Sequence, residues 1–238
     1  MAYTVENIQK FLLTTTSLWS FPLFCAYLIM IMLSPIYQRV TSPLQMRPIL
    51  IIHNFACSAA SLYAMLGLLY GLSQSESTFQ KGPSELMIPF FRIYWITKLV
   101  ELLDTVFMML RHRRRQISFL HVYHHCSMLL LSDVSYNVYP WPCIAFYLAI
   151  NCFVHIVLYL YYGLSATFPD KSFPWKKHIT QLQLLQFFIG FIHATTGYLY
   201  YGFCIYGIFY GMSMTILFSN FYYIAYIKEK HPTKLHKS

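Results

Sequence analysis

Charge is what this sequence has least of: 11% of its 238 residues are Asp, Glu, Lys or Arg, where a soluble globular domain carries about a quarter. With 57% apolar and 19% aromatic residues beside it, that deficit excludes a collagen-like fibre and a disordered chain, the latter needing low hydrophobicity and high net charge. The six cysteines are scattered singly, with neither the close pairing of a disulfide framework nor the spacing of a metal site. There is no Asn-x-Ser/Thr acceptor, no internal repeat and no low-complexity tract. The first apolar run lacks the basic flank and small-residue cleavage site of a signal peptide, so it is expected to be retained as a span. What remains is a chain whose solvent is largely lipid. Its mean hydropathy is only modestly positive, because 21 Tyr, 10 His and several Gln interleave the apolar residues, as suits spans around a polar interior.

A formal charge of +9 could signal nucleic acid, but the placement of the charges points to a membrane. Residues 11–38, 48–74 and 178–227 carry no charged side chain, and residues 116–169 carry only Asp133. A hydrocarbon core takes about 20 helical residues. The two longest stretches therefore hold two spans each, turning near Gly202 and near Tyr139-Pro140-Trp141-Pro142. The pattern predicts seven transmembrane helices, over residues 17–37, 49–72, 87–110, 117–136, 141–162, 179–200 and 204–226. Alternate loops carry Arg39 and Arg47, then Arg111, Arg113, Arg114 and Arg115, then Lys171, Lys176 and Lys177, and finally Lys228, Lys230, Lys234 and Lys237. The opposite side carries Lys10 and Lys81, while Arg92 and Lys98 fall inside the third span. Basic residues mark the cytoplasmic face, so this asymmetry predicts an outer or luminal N-terminus and a cytosolic C-terminus. The expected fold class is all-α: one polytopic membrane domain over residues 1–238.

Polar groups inside a bilayer are costly and mark candidate sites. The third span holds Lys98-Leu-Val-Glu101-Leu-Leu-Asp104-Thr105. On a regular helix Lys98, Glu101 and Thr105 share a face, and Asp104 lies roughly 120° from Lys98, leaving it to find Arg92 or a group on another helix. The bland account is a structural ion network. The fourth span opens on His121-Val-Tyr-His124-His125, whose spacing puts three imidazoles on one face. Two chemistries are open to such a box: ligation of iron or zinc, or base and nucleophile work. The fifth span holds Asn151-Cys-Phe-Val-His155-Ile-Val-Leu158-Tyr159-Leu-Tyr161-Tyr162, in which Asn151, His155, Tyr159 and Tyr162 form a stripe. An interfacial tyrosine belt would explain the tyrosines but not Asn151 and His155. Thr180, Gln183 and Gln186 form a further polar face at the head of the sixth span, suited to interhelical hydrogen bonds or substrate.

In order and separation these four motifs resemble the signatures of the very-long-chain fatty acid elongases, membrane 3-oxoacyl-CoA synthases, over essentially the whole chain. Leu158 stands where that family commonly has Met, and Lys234 and Lys237 do not match the lysine positions many relatives use for endoplasmic reticulum retrieval. The resemblance implies an endoplasmic reticulum enzyme that condenses a long-chain acyl-CoA with malonyl-CoA to give CoA, CO2 and a 3-oxoacyl-CoA two carbons longer, with no metal or redox cofactor. It implies an inverted barrel of the second to seventh helices, open to the cytosol, with the first span outside. Members are often dimers and work beside reductases and a dehydratase.

The resemblance further implies that His124 and His155 carry acyl transfer through an acyl-imidazole. His121 and His125 would tune the pair, Asn151 would donate to the developing oxyanion, and Lys98, Glu101 and Asp104 would position the box. Cys126 and Cys152 lie beside the motifs, but a membrane-buried thiol is usually inert. The basic loops, Arg111 to Arg115 and Lys171 to Lys177, suit CoA phosphates, although the positive-inside bias alone would produce them. Gln116 before the box and Tyr123 within it look more like the polyunsaturated-acyl branch. Two rival readings are a di-iron desaturase or hydroxylase, which shares the histidine box, and a seven-span receptor or transporter.

Overall fold

The computed structural model describes residues 12–228, so Lys10, Lys230, Lys234 and Lys237, with the expectation about retrieval, lie outside the described residues. Eight α-helices are described: α1 Ser20–Val40, α2 Arg47–Ser73, α3 Ile88–Glu101, α4 Leu103–Leu110, α5 Phe119–Asn137, α6 Pro142–Thr167, α7 Lys176–Tyr201 and α8 Tyr206–Tyr222. A 3-10 turn covers Arg114–Gln116 and a π-helical turn covers Tyr223–Ile227. The class is all-α, as expected, and among the described residues eight helices of eight residues or more stand where seven spans were expected. The span expected over residues 87–110 is broken at Leu102, where the Leu102 N–H reaches back three residues to the Leu99 carbonyl (3.2 Å) and the Thr105 N–H reaches the Leu102 carbonyl (3.1 Å). Three helices, α1, α2 and α6, are long and apolar enough to cross a membrane by length and composition.

Local chemistry sets most helix ends. Proline occupies the first turn of α2 and α3 and opens α6, positions where its missing N–H costs nothing. Ser118 caps α5, its hydroxyl accepting from the His121 N–H at 3.2 Å. Gly202 ends α7 in the left-handed region (φ 67°), the turn read from sequence. α4 ends in a Schellman motif: the Arg113 N–H bonds the Met108 carbonyl (2.8 Å), the His112 N–H bonds that of Met109 (3.1 Å), and His112 takes the left-handed position (φ 56°).

The chain divides into two compact units, Met1–Thr167 and Phe168–Ser238. In the first, α2 packs most extensively on α6 and then on α3, α3 on α5, and α5 on α1. An apolar core fills one end of this unit, from Ala64 and Leu68 of α2, Phe91 and Tyr94 of α3, and Ala145, Leu148, Ala149 and Cys152 of α6. Gly67 and Gly71 of α2 admit Phe90 and Met87 against the helix backbone, the close approach that small residues permit between membrane helices. Two loops close this end: the Ser84 N–H bonds the Pro140 carbonyl (3.0 Å) and the Cys143 N–H that of Gln80 (3.1 Å). At the other end Arg47 caps α6, donating to the carbonyls of Ala166 (2.9 Å) and Thr167 (3.0 Å). In the second unit α7 packs on α8, with Phe187 against Phe218 (ring centroids 5.0 Å) and Gly211 against Phe191.

Candidate functional site

Along α3 and α6 the apolar core gives way to a ladder of polar pairs. Tyr94 donates its hydroxyl to Asn151 Oδ1 (2.7 Å). One turn on, Lys98 Nζ donates to both oxygens of Glu101 (2.9 and 3.0 Å) and stands 3.1 Å from His155 Nδ1, which is itself 2.9 Å from Glu101 Oε1. Another turn on, the Tyr159 hydroxyl donates to Asp104 Oδ2 (2.6 Å). The partners stand 57, 54 or 55 residues apart in sequence, so the two strips run parallel in near-constant register. Lys98, Glu101 and His155 are all buried.

The break at Leu102 matters here. A 3-10 turn advances each residue by about 120° against about 100° in an α-helix, so three tightened residues swing Asp104 roughly 60° toward the Lys98 and Glu101 face. Asp104 therefore meets Tyr159 of α6 and His53 of α2 (Nε2 to Oδ1, 2.9 Å). The group on another helix, and not Arg92, is the partner found for it.

The histidine box closes the cluster from α5. His121 Nε2 is 2.8 Å from the Thr105 hydroxyl, which also bonds the Tyr27 hydroxyl of α1 (2.8 Å). His121 and His125 rings lie 4.3 Å apart and His124 and His125 5.4 Å apart. His124 lies nearly parallel to His155, ring centroids 6.0 Å apart at 26°. The two rings differ in their commitments. A carboxylate only accepts, so we assign the Nδ1 proton of His155 to the bond with Glu101, leaving Nε2 as its basic nitrogen. His124 makes ring contacts but, among the described residues, no side-chain hydrogen bond.

Four expected residues make none of these contacts. Tyr162, a turn beyond Tyr159, is 47% exposed with its ring against Tyr161. Thr180, Gln183 and Gln186 belong to α7 in the second unit, where Thr180 bonds the Lys176 carbonyl (3.4 Å) and a neighbour, Gln181, reaches the Tyr222 hydroxyl of α8 (3.1 Å). Three participants were not singled out from sequence. Tyr94 lies four residues before Lys98 and could have been found by extending that face; His53 sits in the uncharged stretch 48–74; nothing in the sequence distinguishes Tyr27. Among the described residues no three His, Cys, Asp or Glu side chains are arranged to share a metal ion. In the basic run, burial and the neighbouring Arg113 guanidinium hold Arg111 below the usual arginine range.

A family model described as ELO, the GNS1/SUR4 family, matches residues 12–234. The chain is 36% identical over 219 residues to very long chain fatty acid elongase 5 of Macaca fascicularis, covering 85% of this chain and 72% of that protein. Against the human protein of the same name it is 36% identical over 221 residues, with the same coverage. Against very long chain fatty acid elongase 2 of Mus musculus it is 35% identical over 239 residues, covering 94% of this chain and 81% of that one. The motif ladder, the histidine box facing it and these similarities along most of the chain make the protein a member of the ELO family, the very-long-chain fatty acid elongases.

Proposed function

We propose that the protein catalyses the condensation step of fatty acid elongation, joining an acyl-CoA to malonyl-CoA. The observation that carries the mechanism is the parallel pair His124 and His155, with His155 held by Glu101. The ring free of side-chain hydrogen bonds, His124, attacks the thioester carbonyl. The carbon–sulfur bond breaks, CoA leaves as the thiol with the proton from the other nitrogen of His124, and the acyl group stays on the imidazole. Malonyl-CoA then loses CO2, and the electron pair of that carbon–carbon bond attacks the acyl carbonyl. The 3-oxoacyl-CoA departs, and the imidazole regains a proton from solvent.

His155, oriented as carboxylate-held histidines are in hydrolase triads, shuttles the proton. Asn151 has its oxygen pinned by Tyr94, which turns its amide N–H groups outward as oxyanion donors. His121 and His125 hold the box in place. Thr180, Gln183, Gln186 and Tyr162 bind substrate, and the basic residues at 111–115 and 171–177 attract the CoA phosphates. The full architecture is a seven-span membrane enzyme of the endoplasmic reticulum with a luminal N-terminus, its barrel open to the cytosol. It forms homodimers beside the reductases and dehydratase of the cycle, uses no cofactor and prefers polyunsaturated acyl chains. A di-iron oxidation would need imidazoles gathered around two ions, and among the described residues no three His, Cys, Asp or Glu side chains are so placed.

The test incubates purified protein in detergent with radiolabelled malonyl-CoA and a panel of saturated and polyunsaturated acyl-CoAs. A product two carbons longer is expected, and its loss by a factor of about 10²–10⁴ in His124→Ala and in His155→Ala. Either variant retaining full activity overturns the histidine mechanism. No product together with stoichiometric iron establishes the oxidative reading.

A further inference from the structure

His53 belongs to α2, which carries none of the four motifs, yet it reaches the motif cluster directly. Its Nε2 donates to Asp104 Oδ1 at 2.9 Å, while the Tyr159 hydroxyl donates to the other oxygen at 2.6 Å. Among the described residues His53 is the basic side chain paired with Asp104, Lys98 being paired with Glu101. A carboxylate inside a membrane that lacks partners is costly and mobile, so the orientation of Asp104 depends on His53. The imidazole is itself fixed: Phe107 meets it edge-on (centroids 5.0 Å, 85°) and Tyr159 lies 6.1 Å away at 80°. The Tyr159 ring also meets a second imidazole, that of His155, at 5.7 Å and 50°. It is almost fully buried.

We infer that His53 is a positioning residue for condensation: it holds Asp104, Asp104 fixes the Tyr159 hydroxyl, and the Tyr159 ring sets the placement of His155. The inference rests on the condensation reading above. It assigns α2 a part in catalysis beyond packing, since a displacement of about 1 Å in a reacting group costs around a hundredfold in rate.

The experiment measures condensation kinetics on the full-length protein in detergent for wild type, His53→Gln, His53→Asn, Asp104→Asn and His53→Asn/Asp104→Asn, each checked for folding by size exclusion and thermal melting. Gln places an amide N–H near the position of Nε2, whereas Asn is too short to reach Asp104. His53→Asn is expected to lower kcat about tenfold to a hundredfold with the KM for acyl-CoA little changed, and His53→Gln to recover most of that loss. The double variant should be no slower than Asp104→Asn, because residues acting through one contact are not additive. Wild-type kcat in His53→Asn, equal impairment in the Gln and Asn variants, or a double variant whose losses multiply overturns the inference and leaves condensation standing. A wild-type protein without condensation removes the underlying reading, and the inference with it.

Discussion

Glu101 is the residue on which most of the buried charge turns. It has no solvent exposure and accepts from Lys98 twice and from His155 once. Removing one member of a buried ion pair leaves the other uncompensated and costs about 3–5 kcal/mol, whereas replacing both by apolar residues is often near neutral. Glu101→Ala should therefore lower the melting temperature of the purified protein far more than the double Lys98→Met/Glu101→Met variant, although both abolish condensation. A double variant melting as low as the single one would mean that the pair stabilises the fold outright. This network was half legible in the sequence. The i,i+3 spacing gives the Lys98 and Glu101 pair, but a spacing rule within one helix contains nothing about His155, which lies 54 residues further along the chain.

At the scale of elements, α3 meets α2 at Gly67, where an added Cβ would run into the Phe90 ring. Gly67→Ala is expected to cost about 1–3 kcal/mol through forced repacking, and Phe90→Leu in the same protein to return part of that loss. A melting curve for Gly67→Ala that matches wild type would show that α3 can shift to make room. Helix positions were legible because uncharged runs, prolines and Gly202 mark them. The break at Leu102 was not. Leu99, Val100, Leu102 and Leu103 are ordinary helix formers, and the partners that go with the tightened turn, His53 and Tyr159, lie on other helices. Tyr162 shows the converse: periodicity puts it on the Asn151 stripe, but its ring lies against Tyr161 and not against the polar ladder.

For the whole molecule, the uneven basic loops lead us to propose a luminal N-terminus and a cytosolic C-terminus. Single cysteines at Lys81 and at Arg114, in a background lacking Cys25 and Cys204, test that topology in sealed endoplasmic reticulum vesicles. A membrane-impermeant maleimide is expected to label Arg114→Cys in intact vesicles and Lys81→Cys only after permeabilisation. Labelling of both in intact vesicles would put the two loops on one side. α1 is tied to these helices as well. It gives the Tyr27 hydroxyl to Thr105 and the Ser20 N–H to Asp133 (2.9 Å), so it is bonded to the helices that carry the site. The near-constant register has a mechanical consequence as well. Sliding α6 by one turn along α3 and α4 would set Asn151 against Lys98 and break the bonds of Tyr94 to Asn151, of Glu101 to His155 and of Asp104 to Tyr159, so a piston stroke between these helices is forbidden. They form a stiff frame, and whatever opens to admit two bulky thioesters in succession must hinge elsewhere.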